Sequence, residues 1–125
     1  MNITQFKLFL ETKTSFHFYV FDDYESYSEF ITKNKIDIKN NFGFVSLSKI
    51  NNSNNNLNYI YSVSFFFVKK NNYEEDITKI QNFIESFDKI IKNEITTANY
   101  EIYLINDINY YVIIYYIPVR RDIYV

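Results

Sequence analysis

Cysteine and tryptophan are absent from this 125-residue chain, and glycine, proline, histidine and methionine occur once each. Alanine is confined to Ala98. Without cysteine there is no disulfide, no thiolate nucleophile and no Cys-ligated zinc, a pattern that fits a reducing compartment. The single glycine, Gly43, excludes a Gly-rich phosphate loop and nucleotide binding through one. The single histidine, His17, sits among residues that alternate along an apolar strand, and its expected place is the more exposed face of that strand. A catalytic relay would need a nucleophile and an acid around it. No apolar run approaches the roughly 18 residues that cross a bilayer, and the longest, Tyr110 to Val119, reads as a strand. Met1 to Leu10 carries Gln5 and Lys7 and no small-residue cleavage site follows, unlike a signal peptide. The expectation is a cytoplasmic protein that uses no membrane.

A large excess of either charge is lacking too, with 13 Lys and Arg against 15 Asp and Glu. The net charge is −2 and the isoelectric point about 5.4, without the concentrated basic surface of a dedicated nucleic-acid binder. The only arginines are Arg120 and Arg121.

What is present is aromatic and aliphatic. Hydrophobic residues make up 47% and aromatic residues 21%, with 13 Tyr and 13 Phe, too many for a disordered chain. These side chains supply large buried areas without much Ala or Leu. The length suits a single domain over residues 1–125. The bias towards Ile, Asn, Lys, Tyr and Phe is what AT-rich codons produce and reads as a genome signature.

Phe6, Leu8 and Leu10 alternate with Lys7, Phe9 and Glu11, which predicts a strand. A polar turn, Glu11 to Thr14, leads to a second strand over Phe16, Phe18 and Val20, and the two form an expected hairpin. Asp22 with Glu25 has capping-box spacing and opens a helix from about Asp23 to Asn34, with Tyr24, Tyr27, Phe30 and Ile31 on one face. Phe44 to Ile50 is strand-like. Asn51 to Asn56 reads as a loop whose side chains compete for backbone hydrogen bonds. Leu57 to Val68 alternates most clearly and predicts a strand. Asn72 then caps a long helix, with Glu74, Glu75 and Asp76 in its first turn and a stripe of Ile77, Ile80, Ile84, Phe87 and Ile91. Tyr100 to Ile105 is a strand, Asn106 to Asn109 a tight turn, and Tyr110 to Ile117 a strand apolar on both faces that Pro118 is expected to end. The predicted class is α+β: an antiparallel sheet of about six strands in the order β-β-α-β-β-α-β-β, with two helices packed mainly on one face.

The candidate site residues are charged. Asp22, Asp23, Glu74, Glu75 and Asp76 lie at predicted helix starts, where capping accounts for them, and Asp107 lies in the last turn. Carboxylates alone are a weak metal signal, so no metal, cofactor or catalytic residue is expected. Asn2-Ile3-Thr4 and Asn51-Asn52-Ser53 match the glycosylation pattern by chance in so Asn-rich a chain. One anomaly remains. The Tyr110 strand, Phe65 to Phe67 and Tyr103 offer more apolar surface than one face of a small sheet needs. Helices or a partner must cover the rest.

The expected function is therefore a non-enzymatic, protein-binding inhibitor, such as an immunity protein that neutralises a toxin by stoichiometric occlusion of a basic, nuclease-like active site. In it, Asp22, Asp23, Glu74, Glu75, Asp76 and Asp107 meet the basic cleft and tyrosines anchor the contact. A phage or viral inhibitor of a host defence protein shares that mechanism. Two other classes stay open. One is a sheet-face module for nucleic acid or a small ligand, with Lys69, Lys70, Arg120 and Arg121 beside exposed tyrosines. The other is a structural homodimer that buries the Tyr110 strand across a two-fold axis.

Overall fold

The computed structural model describes residues 1–22, 26–53 and 56–123. The chain opens with a helix, α1 (Ile3–Lys13), where the alternation of Phe6, Leu8 and Leu10 had predicted a strand. The ends of the segment decide it. Asn2 accepts from the Gln5 N–H at 2.9 Å and Gln5 Oε1 accepts from the Asn2 N–H at 2.8 Å, a complete capping box. Phe6, Phe9 and Leu10 then fall on one helical face and are buried, and Leu8 is left in water.

Five strands follow among the described residues: β1 (His17–Val20), β2 (Phe42–Ser53), β3 (Asn56–Val68), β4 (Glu101–Asn106) and β5 (Tyr110–Arg120). They form one sheet in the order β1-β2-β3-β5-β4. The expected six-stranded antiparallel sheet is thus a five-stranded mixed one, mostly antiparallel, with β1 and β2 parallel. With its hairpin partner folded as a helix, β1 pairs instead with β2 across a crossover that carries α2 (Tyr27–Lys33).

The Asn-rich segment is less of a loop than its composition predicts. Asn51 pairs with Asn58 and Asn52 with Leu57, so β2 and β3 continue to Ser53 and Asn56; Asn54 and Asn55 lie outside the described residues. Cross-strand pairing here overrides local side-chain competition. Nor does Pro118 end β5, since it pairs in register with Ile60. The last β4–β5 pair is Glu101 with Tyr116, so β5 is itself an edge at Pro118, and a missing N–H is tolerated there.

Among the described residues, three helices pack on the sheet, and they use both faces. α1 and α3 (Tyr73–Glu94) cover Val45, Tyr61, Val63, Phe65, Ile113 and Tyr115. On the opposite face, Phe30 of α2 packs with Phe42, Phe44, Phe66, Tyr110 and Val112. The two helices expected on one face, α2 and α3, therefore lie on opposite faces, because β2, β3 and β5 are apolar on both. α2 starts later than predicted. Its cap is Ser26, accepting from Glu29 N–H at 3.2 Å; Asp22 lies upstream, and Asp23, Tyr24 and Glu25 lie outside the described residues. Gly43 has a packing role: a Cβ there would come within 2.7 Å of three ring carbons of Phe18. Among the described residues, no helix is long and apolar enough to cross a membrane.

Candidate protein interface

The Tyr110 strand is not the source of the surplus apolar surface. β5 is paired on both sides over most of its length, and Tyr110, Tyr111, Val112, Ile113 and Tyr115 are buried. The uncovered strand is β4, which pairs only with β5 among the described residues. Every residue of β4 is exposed. Ile102 is 39%, Tyr103 51%, Leu104 55% and Ile105 46% accessible, and Ile108 in the following turn 89%. The register places Ile102 and Leu104, opposite Tyr115 and Ile113, on the face of α1 and α3. Tyr103 and Ile105, opposite Ile114 and Val112, lie on the face of α2. Both faces and the outer edge of one strand are thus open together.

Carboxylates mark both ends of β4. At its start, the Tyr103 hydroxyl donates to Glu101 Oε2 at 2.7 Å, and this bond raises the tyrosine's pKa above its ordinary value. At its end, Asp107 Oδ2 accepts from the Asn109 N–H at 3.1 Å, and the Asp107 N–H donates to the Tyr110 carbonyl at 2.9 Å, closing the predicted turn. Lys69 lies at this end too, donating to Asn106 Oδ1 with its ammonium 4.6 Å from the centre of the Tyr111 ring. Beside the turn, Ile105 and Ile108 share with Ile31, Ile38, Phe66 and Tyr110 a groove of about 340 Å³.

The chain enters β4 through Tyr100, whose hydroxyl donates to Asp88 of α3. Burial first, and this bond second, push the Tyr100 hydroxyl's pKa upward. The same bond, with help from Lys92 at 3.0 Å, holds the Asp88 carboxyl below the usual carboxylate range. Burial also raises Tyr115, whose hydroxyl has no hydrogen-bond partner among the described residues, and pushes Tyr61 up to about 12.

The six expected contact residues are divided. Asp107, Glu74 and Glu75 share one end of the molecule and are exposed. The Tyr73 ring at the start of α3 lies 6.1 Å from that of Tyr111, the β5 partner of Asn106. Glu75 is tied to Asn72, the expected cap, by a 2.9 Å bond from its N–H. Asp76 is in the same turn but buried; Asn71 Nδ2 reaches its Oδ1 at 3.3 Å and Oδ2 has no hydrogen-bond partner among the described residues. Asp22 is exposed beyond β1, at the opposite edge of the sheet. Asp23 lies outside the described residues.

The basic residues are divided too. Lys69 and Lys70 follow β3, whereas Arg120 pairs across from Asn58 near its beginning, about 35 Å away along the strand. Arg120 is engaged by Asp122 at 2.8 Å. His17 is 65% exposed, with Nδ1 3.1 Å from Glu11 Oε2. No group of three or more His, Asp or Glu among the described residues is placed to hold a metal ion.

Ile102, Leu104, Ile105 and Ile108 escaped the sequence reading as contact residues. Their run is apolar on both strand faces, which in sequence is indistinguishable from a buried central strand. No family model matches the chain, and no curated protein or solved structure matches it either.

Proposed function

We propose that this chain is a non-enzymatic protein-binding inhibitor that works in the cytoplasm, occluding a basic, nuclease-like site of its partner one to one, in the manner of a toxin-neutralising immunity protein. The observation that carries the reading is β4, a strand with four apolar side chains in water and a carboxylate at each end. Contiguous apolar surface rimmed by polar groups is the usual mark of a protein contact. Glu74, Glu75 and Asp107 extend the acidic rim and favour a basic partner through steering and specificity.

The test is capture from source cells with the tagged chain, followed by light-scattering mass of the purified complex and an activity assay of the captured protein. The reading expects one basic partner at equal stoichiometry whose activity falls to zero at one equivalent. Glu74→Lys, Glu75→Lys and Asp107→Lys together should slow association and steepen the loss with salt. A captured protein that stays fully active, or a chain that binds only itself, overturns it.

A further inference from the structure

The outer edge of β4 carries a row of main-chain N–H and C=O groups that pairs with nothing among the described residues. We propose that the partner supplies an extended segment that adds to this edge as a further strand, with apolar residues in its middle and a basic residue at each end. The proposal rests on the protein-binding reading and names the docking element. Strand addition takes its affinity from the main-chain ladder and its selectivity from the side chains that flank it.

β4 lacks the devices that keep an edge from pairing. It has no Lys, no Pro and no bulge, and its middle four residues are apolar. An incoming strand would set one row of side chains against Ile102 and Leu104 and the other against Tyr103 and Ile105. The acids stand at the two ends, Glu101 in the first position and Asp107 just past the last, and both are exposed. Opposite charges facing each other across a ladder are favourable and like charges unfavourable. Lys69 stands by the Asp107 end but is engaged with Asn106 and the Tyr111 ring.

The same two acids argue against a second copy as the occupant. A two-fold axis normal to the sheet keeps like faces together, so residues of one parity oppose each other. Centred on Leu104, such a pairing places Glu101 directly opposite Asp107 of the other copy, twice. Centred on Tyr103, it matches Ile102 with Leu104 of the other copy, but leaves Glu101 and Asp107 diagonal neighbours, again twice. Each register brings like charges together at both ends. A segment with basic ends turns both contacts into attractions.

The test uses the full chain and two synthetic peptides with an Ile-Thr-Val-Ile middle, one flanked by Lys-Lys and the other by Glu-Glu at each end. Binding is read by anisotropy of a dye on the peptide and by amide-exchange protection of residues 101–106. The Lys-flanked peptide should bind about tenfold more tightly than the Glu-flanked one and slow exchange in β4. Glu101→Lys with Asp107→Lys should invert the preference. Equal binding of the two peptides, binding without protection of β4, or a concentration-dependent dimer that Leu104→Lys abolishes would each overturn the proposal. A cellular partner held equally well by wild type and by Leu104→Pro, which removes a ladder N–H, would overturn strand addition and leave the protein-binding reading standing. Inverted peptide preference with no partner in cells would do the reverse.

Discussion

The two edges of the sheet are built on opposite terms. β1 is four residues long, and its Phe18 is fully buried over Gly43. Its main chain is also occupied from outside, because Glu11 Oε2 accepts the Phe18 N–H at 3.1 Å while facing His17. β4 is longer, keeps its apolar side chains partly in water, and has no side chain among the described residues bonded to its main chain. A helix just upstream in sequence closes the first edge, and nothing described closes the second. The difference separates stability from recognition: changes at β1 should be felt in folding, and changes at β4 in binding.

Gly43→Ala is expected to give the largest loss of stability, about 1–3 kcal/mol, since the new methyl group meets the Phe18 ring in a filled core. Urea unfolding measures it, and an unchanged midpoint would mean that β1 does not dock on β2 as described. Glu11→Ala should cost about 1 kcal/mol and speed exchange of the Phe18 amide, which would sharpen the contrast by opening the closed edge.

A smaller effect concerns the anchor of β4. Tyr61, Tyr100 and Tyr115 have folded-state pKa values above the ordinary tyrosine value. As pH rises through about 10, the unfolded chain loses these protons first, so stability is full below that pH and falls above it. The melting temperature should drop from about pH 10 towards about pH 12, and Tyr100→Phe, which cannot ionise, should make the drop shallower. An equally steep drop in that variant would show that Tyr100 does not contribute. The smallest effect is expected from Leu104→Lys at the open edge. Stability should stay within about 0.5 kcal/mol of wild type, read by the same urea titration, while partner binding is lost. A large destabilisation would erase the distinction between the edges.

Where several local signals agreed, the sequence was readable. α3 carries its cap at Asn72, its acids in the first turn and its buried Ile80, Phe87 and Ile91 where the pattern placed them. β3 and the turn before β5 are similar cases. α1 was misread because Phe6, Leu8 and Leu10 satisfy a period of two while Phe6, Phe9 and Leu10 satisfy a helical one. The Asn2–Gln5 box that decides between them looked like part of a glycosylation pattern. Of the candidate interface, Asp107 and Tyr103 stood out in advance. Asp76 read as one more contact acid of a helix start, yet it is buried.

By itself, the sequence determined the class of material: an aromatic-rich α+β chain, strands apolar on two faces, and a long amphipathic helix with its own caps. Those properties are local and follow from periodicity and end chemistry. Only the tertiary structure decided that α2 and α3 take opposite faces, that β1 runs parallel to β2, and that β5 is enclosed while β4 is open. β4 and β5 have nearly the same pattern in sequence. What separates them is the number of neighbouring strands, and that is set by pairing between residues far apart in the chain, which no periodicity records.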